Sequence, residues 1–171
     1  MEHTSHTTDD GHGKRTHRPY LMFWINMGLA LIVMYIVMFT MIDGIHDFRN
    51  NLNMFYMAVT MWAPMGIFML ATMPHMFSKG GLNVALYVLF AVLTVGSFTA
   101  TRAQILINDR QFIDSMIPHH SGAILMCREA DLNDAELVDL CTEIIRAQRS
   151  EIDQMEQIRT RLDGGALHSP Q

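Results

Sequence analysis

The sequence predicts an all-α protein in which three transmembrane helices precede an extracytoplasmic antiparallel helical hairpin. Half of its 171 residues are hydrophobic and only 17% are charged, which is too apolar for an ordinary soluble domain. Three uncharged windows are each long enough to cross a hydrocarbon core of about 30 Å as a helix. They are Leu21–Ile42, Met54–Met73 and Leu82–Ala100. A polar segment that contains a single turn signal follows them.

Basic residues near the span ends set the predicted orientation. One group comprises Lys14, Arg15, Arg18 and Lys79, and the group on the other side comprises Arg49, Arg102 and Arg110. Because the cluster beside the first span usually dominates, we expect a cytoplasmic N-terminus and a periplasmic C-terminal domain. The membrane would then be the bacterial inner (cytoplasmic) membrane.

The chain divides into four predicted regions. Residues 1–20 form a polar tail with His3, His6, His12 and His17, and residues 21–101 form the three-span anchor. Residues 102–163 form the hairpin and residues 164–171 a disordered tail. No Gly or Pro occurs between Ser97 and Ile117, so we expect the third helix to continue unbroken until Pro118 kinks it.

The second arm of the hairpin has its own boundary residues. Asn133 is a good N-cap with Glu136 three residues later, and Gly164-Gly165 should end the helix after about Leu162. A two-helix hairpin of roughly 60 residues buries too little apolar surface to be stable alone. We therefore expect a homodimer in which two hairpins complete a four-helix bundle.

The stretch "MIPHHSGAILM", Met116 to Met126, carries the chemistry on the first arm. An antiparallel hairpin that turns near residue 133 would set Met116 opposite Glu151 and His119 opposite Gln148. It would also set Phe112 opposite Met155 and Cys127 near Cys141. Imidazole, thioether and carboxylate groups would then meet in an apolar interface.

This ligand set fits copper better than other metals. Thioethers select Cu(I), imidazole serves both oxidation states, and a carboxylate favours the oxidised ion. Zinc would not explain the methionines, and the Glu-x-x-His repeat of di-iron bundles is absent from the sequence.

Packing alone explains part of the pattern. Methionines at helical spacing are more often core residues than ligands, and a single buried histidine is more often hydrogen-bonded than metal-bound. His119 and His120 are about 100° apart on a helix, so at most one points squarely into the interface. Gln148 and Glu151 are harder to dismiss, because a buried carboxylate needs a compensating partner. The spacing of these residues alone therefore does not decide between a metal site and ordinary packing.

The motifs "NDRQFIDSMIPHHSGAILMCREA" and "IIRAQRSEIDQM" resemble the bacterial domain-of-unknown-function 305 family over about residues 108–162. The resemblance implies a ferritin-like helical fold outside the cytoplasmic membrane and a role in copper binding and resistance. By position it implies a set of ligand candidates with Asp109 in support. They are Met116, His119, His120, Met126, Gln148, Glu151 and Met155. This chain carries the hairpin once, which fits dimerisation.

Three weaker patterns have two interpretations each. The methionines of the spans, including Met57, Met61 and Met65, favour adaptable packing over a thioether track for Cu(I) or Ag(I). Asp43, His46 and Asp47 favour a solvated loop over a second site. Cys127 and Cys141 are either a disulfide or free thiols that bind Cu(I).

The function that we expect is copper tolerance, buffering or delivery by a membrane-anchored periplasmic copper-binding protein. Copper-transport or copper-resistance proteins are the candidate partners. The alternatives are a copper-dependent oxidoreductase and a non-metal membrane scaffold. No catalytic acid–base pair or nucleophile motif appears, so we expect no enzyme. The excess of acidic residues over residues 102–163 argues against nucleic acid as a partner.

Overall fold

In the computed structural model, residues 18–166 are described, and they form five α-helices and no strand. The helices are α1 (Arg18–Val37), α2 (Leu52–Thr72), α3 (Gly80–Ala103), α4 (Asp109–Glu129) and α5 (Ala135–Ala166). The predicted all-α class is confirmed. The N-terminal histidines and residues 167–171 lie outside the described residues.

Three of the described helices are long and apolar enough to cross a membrane, as predicted. They cover Arg18–Met41, Leu52–Thr72 and Gly80–Ala103. The first combines α1 with a short 3-10 turn, Met38–Met41. A second 3-10 turn, Ile45–Asp47, follows it. We call residues 38–51 the α1–α2 connection.

The membrane helices share an aromatic core. Its buried members are Tyr20, Phe23, Met27, Val59, Trp62, Ala63, Leu70, Phe77, Leu86 and Phe90. The Trp62 indole donates a hydrogen bond of 2.6 Å to the Met27 carbonyl, which joins α2 to α1. A Cβ atom on Gly66 would lie 2.7 Å from the Phe90 ring, so α2 and α3 approach closely because this residue is glycine.

The expectation that α3 runs unbroken into the hairpin is wrong. α3 ends at Ala103, and Gln104 adopts a left-handed conformation with φ of 50°. The Ile105 N–H bonds back to the Ala100 carbonyl, which satisfies a terminal acceptor of the helix. Asn108 then caps α4, because its side chain accepts the Gln111 N–H. A left-handed residue and an asparagine cap make this break without any Gly or Pro.

Pro118 lies inside α4, which continues to Glu129. A proline has no N–H to donate to the carbonyl four residues earlier, which here belongs to Asp114. That carbonyl instead accepts a hydrogen bond of 3.1 Å from the Asn51 side chain. The oxygen of the same Asn51 amide accepts the Met54 N–H at 2.9 Å and so caps α2. Asn51 is only 3% exposed, and it joins the membrane helices to the hairpin.

The turn between α4 and α5 lies close to its predicted place, but both ends of α5 differ from the prediction. The Asp134 side chain, rather than that of Asn133, accepts the Leu137 N–H at 2.9 Å. The helix also continues through Gly164-Gly165 to Ala166. Glycine in a helix costs about 1 kcal/mol relative to alanine, which weakens a helix without ending it.

Cys127 and Cys141 form a disulfide across the hairpin, with their Cα atoms 5.2 Å apart. Of the two interpretations of these cysteines, the structure has the bridge. It fastens the two arms near their turn.

The α1–α2 connection packs on α4, so the expectation of a solvated loop is wrong for most of it. Asp47 is 5% exposed, and the Ser121 hydroxyl donates to its carboxylate at 2.6 Å. The Ser121 oxygen also accepts the Asp43 N–H at 2.7 Å. A Cβ on Gly122 would lie 3.0 Å from the Met41 carbonyl oxygen, so the backbones approach closely there. His46 alone of the predicted cluster stays exposed.

Ion pairs complete this contact. Arg128 of α4 pairs with Asp43, and Glu156 of α5 pairs with Arg49. The hairpin therefore finds part of its packing partner within its own chain. The sequence analysis sought that partner only in a second copy.

Replacement of Asn51 by alanine should lower the free energy of unfolding by about 1–3 kcal/mol, because it removes the α2 cap and the hydrogen bond to the part-buried Asp114 carbonyl. Chemical unfolding of the full chain in detergent measures this loss. Asn133→Ala is the matched control, because the exposed Asn133 caps no helix in the structure. Equal stabilities of the two variants would contradict the assigned role of Asn51.

Candidate metal centre

The two adjacent histidines of α4 lie in different environments. Successive residues of a helix point about 100° apart. The His120 side chain is 13% exposed and faces α5, whereas His119 lines a cavity toward the membrane helices. This agrees with the expectation that at most one of them points into the hairpin interface.

His120 and Glu151 meet between the two arms. The Nδ1 atom of His120 lies 3.2 Å from Oε2 of Glu151. Nδ1 is buried and makes no hydrogen bond within the part of the chain that the structure describes. Two ligand atoms that share one metal ion at bond lengths of about 2 Å lie about 3.3 Å apart in a tetrahedral site. The observed separation fits that arrangement.

The predicted register is wrong for the long side chains. It set Met116 opposite Glu151. In the structure Glu151 instead contacts His120, which lies one helical turn closer to the α4–α5 turn than Met116 does. The predicted contact of Cys127 with Cys141, by contrast, is confirmed.

Side-chain direction explains the difference. Helical side chains lean toward the N-terminus of their own helix. In this hairpin they lean away from the turn on α4 and toward it on α5. Long side chains therefore meet when the α5 residue lies further from the turn than its partner. The ion pairs Asp114–Arg159 (3.0 Å) and Arg110–Asp163 (2.6 Å) show the same displacement.

Two further ligand candidates lie on the same side of α5 as Glu151. Gln148 is three residues before it and Met155 four residues after it, so the three side chains are neighbours on the helix. The Gln148 Oε1 atom is buried and has no hydrogen-bond partner among the described residues. Met155 is half-buried. Nitrogen, carboxylate, amide and thioether donors are thus available along one strip of the interface.

Burial lowers the pKa of His120 from its ordinary value of 6.5, and the charge of Glu151 opposes this by raising it. The neighbouring His119 lowers it further. The imidazole is therefore neutral at pH 7, and a neutral imidazole can bind a metal without first losing a proton.

The remaining predicted ligands are not brought to this point within one chain. Met116 and His119 line the cavity toward the membrane helices. The Met126 side chain is 60% exposed near the turn, and Asp109 is exposed at the first residue of α4. Among residues 18–166, no three His, Cys, Asp or Glu side chains converge as a metal cluster.

Three methionines near this region were not among the predicted ligands. Met38, Met54 and Met57 line the same cavity as Met116 and His119. Met38 and Met57 belong to rows of methionines within their own spans. Nothing in the sequence indicated which end of each row meets α4, because that depends on packing between helices.

Comparison with known proteins bears on the hairpin first. Residues 99–159 match the model of a domain of unknown function, DUF305. The chain is also 32% identical over 120 residues to "Uncharacterized protein L153" of Acanthamoeba polyphaga mimivirus, which covers 68% of this chain and 76% of the viral protein. The chain belongs to the DUF305 family. No solved structure matches it.

The DUF305 match begins in the last two turns of α3 and ends within α5. It contains all the predicted ligands, from Asp109 to Met155. The viral alignment is about twice as long as this match, and only twelve residues follow the match. That alignment therefore extends into the membrane helices.

An NMR titration of the His120 ring in the full chain should give a midpoint below pH 6.5. Glu151→Gln should lower the midpoint further, because it removes the charge that favours the imidazolium, and His119→Asn should raise it. The free energy of unfolding should not depend on His120 well above pH 6.5 and should fall as the pH drops below it, since the unfolded state binds the proton first.

Glu143→Gln, two turns before Glu151 on the exposed face of α5, is the matched control and should leave the midpoint unchanged. A midpoint above 6.5, or one that Glu151→Gln does not move, would contradict the pairing of His120 with Glu151.

Proposed function

We propose that the chain is a membrane-anchored copper-binding protein that serves copper tolerance, buffering or delivery. The observation that carries this proposal is that His120 Nδ1 and Gln148 Oε1, on facing helices, are buried and make no hydrogen bond within residues 18–166. The Glu151 carboxylate lies 3.2 Å from the histidine nitrogen.

The energetics favour a ligand at this place. A buried polar atom without a partner costs about 1–3 kcal/mol, and a bound metal ion would satisfy both atoms at once. His120 and Glu151 would hold the ion, with Gln148 and Met155 as the adjacent donors. Imidazole and carboxylate suit Cu(II), and the Met155 thioether adds affinity for Cu(I).

The proposed location is the periplasmic face of a bacterial inner membrane. The disulfide Cys127–Cys141 supports it, because disulfides persist in oxidising compartments. The excess of basic residues around the first span supports a cytoplasmic N-terminus.

A homodimer is part of the proposal. Large apolar side chains remain exposed on the hairpin after the α1–α2 connection has docked. They are Phe112, Met126, Leu137, Val138 and Leu140, each at least 42% exposed. A second hairpin packed on these side chains would complete a four-helix bundle and bury them.

A non-metal membrane scaffold is the second candidate. It is favoured by the lack of a converging cluster of three His, Cys, Asp or Glu side chains in the described part of the chain. Such a protein would use the same apolar hairpin surface to bind a partner and would have no affinity for copper.

Titration of the full chain in detergent with Cu(II) distinguishes these candidates. His120→Leu with Glu151→Gln should weaken binding about 10–100-fold, because it removes the imidazole donor and the carboxylate charge and nearly conserves the side-chain volume. His75→Leu with Glu143→Gln makes the same exchanges at exposed positions and should bind like the unmodified chain.

Circular dichroism and gel filtration establish that both variants keep their helices and their oligomeric mass. Unchanged copper affinity in the His120/Glu151 variant, or no binding by the unmodified chain, would reject the proposed function.

A further inference from the structure

A second set of potential ligands lies where α4 meets the ends of the membrane helices. A cavity of about 250 Å³ is lined there by four methionines and one histidine. They are Met38 of the α1–α2 connection, Met54 and Met57 of α2, and Met116 and His119 of α4. We call this the methionine pocket.

We propose that the methionine pocket binds a soft monovalent metal ion, Cu(I) or Ag(I). Thioether sulfur is a soft donor that selects such ions, and the His119 imidazole supplies a fifth donor. The pocket shares no ligand with the His120–Glu151 site, so this proposal does not depend on the proposed function.

The other side chains of the pocket favour a monovalent ion. They are Asn51, Asn53, Thr101, Gln104 and Ser115, none of which carries a charge. Without a carboxylate, a divalent ion would stay uncompensated near the hydrocarbon core. Soft neutral donors stabilise a monovalent ion without that requirement.

Ordinary packing does not account for these methionines. The buried core of the membrane helices is built from aromatic and aliphatic residues and includes Met27, but none of the four pocket methionines. Met38, Met54 and Met116 are only half-buried, and Met57 is 43% exposed. The four side chains line a cavity and are not part of the buried core.

A network of amide hydrogen bonds fixes the walls of the pocket. Asn53 and Gln104 form a reciprocal pair, with bonds of 3.0 and 3.2 Å. Asn53 also donates to the Ser115 hydroxyl at 3.3 Å. Asn51 holds the first turn of α2 to α4. Met54 of α2 and Met116 of α4 therefore line the pocket on two helices whose separation is set by these hydrogen bonds and not by the methionines.

The pocket adjoins two other groups of candidate donors. Met57 also lines a neighbouring cavity of about 200 Å³ with Met61, which continues the thioether row along α2. On the other side, the His119 and His120 rings are 6.1 Å apart between centroids. An ion in the methionine pocket would thus lie between the membrane and the hairpin site.

The test titrates the full chain in detergent with Ag(I), which needs no reductant and leaves the disulfide intact. Met38→Leu with Met54→Leu and Met57→Leu removes three sulfurs and nearly conserves volume. We expect Ag(I) affinity at the pocket to fall about tenfold or more. The variant with leucine in place of Met22, Met73 and Met76, which are exposed away from the pocket, should bind as the unmodified chain does.

Equal Ag(I) binding by the pocket variant and the unmodified chain would overturn the proposal, as would no Ag(I) binding by the unmodified chain. If the pocket variant does not fold, methionine-methyl NMR of the unmodified chain decides. Ag(I) should shift Met38, Met54, Met57 and Met116 and leave Met22, Met73 and Met76 in place, and the absence of that pattern would overturn the proposal.

The two sites can fail separately. The His120→Leu/Glu151→Gln variant should keep its Ag(I) affinity at the pocket. The pocket variant should keep its Cu(II) affinity. Loss of Cu(II) binding in the unmodified chain alone rejects the hairpin site and not the pocket.

Discussion

The architecture depends on one buried amide, Asn51, and on the backbone carbonyl that it meets. Pro118 leaves the Asp114 carbonyl without its usual partner in the helix, and the Asn51 side chain supplies the missing donor. Since the same amide caps α2, the first turn of a membrane helix and the middle of α4 are held by one residue. The contact of Ser121 with Asp47 lies about two turns further along α4 and prevents rotation about the first contact.

This constraint gives the Met-Ile-Pro-His-His motif a structural meaning. With the rotation of α4 fixed, His120 points into the hairpin, where it meets Glu151. His119 and Met116 point toward the ends of the membrane helices. The carbonyl that Pro118 leaves free is the place where the α1–α2 connection attaches to α4. Of the two histidines, His119 lines the methionine pocket and His120 faces the donors of α5. One five-residue stretch thus supplies both candidate sites.

The sequence was sufficient for the fold class and the spans, because a long uncharged window has few other stable forms than a membrane helix. It also indicated Gln148 and Glu151 as candidates, since polar groups on an apolar stripe need partners, but it set them opposite His119 and Met116 and not opposite His120. Which of them touch could not be predicted. Because long side chains lean along their helix, their contacts are displaced by about one helical turn from the predicted pairs. Only the short side chains of Cys127 and Cys141 meet close to the predicted register. The break after Ala103 was missed because Gln104 takes a conformation that favours glycine.

The docking of the α1–α2 connection could not be predicted for a different reason. Asp43, Asp47 and Arg49 form a polar loop in sequence, and their burial follows only from partners far along the chain, on α4 and α5. The same holds for the methionine pocket, whose methionines and histidine come from three separate elements. Local patterns identify the donors, whereas their convergence is a property of tertiary packing.

The most direct test of the account is a crystal structure of the full chain grown with copper, with anomalous diffraction recorded at the copper edge. The account predicts a peak within bonding distance of His120 Nδ1 and the Glu151 carboxylate. No peak between the two arms, together with a hydrogen bond from His120 Nδ1 to another protein group, would contradict it.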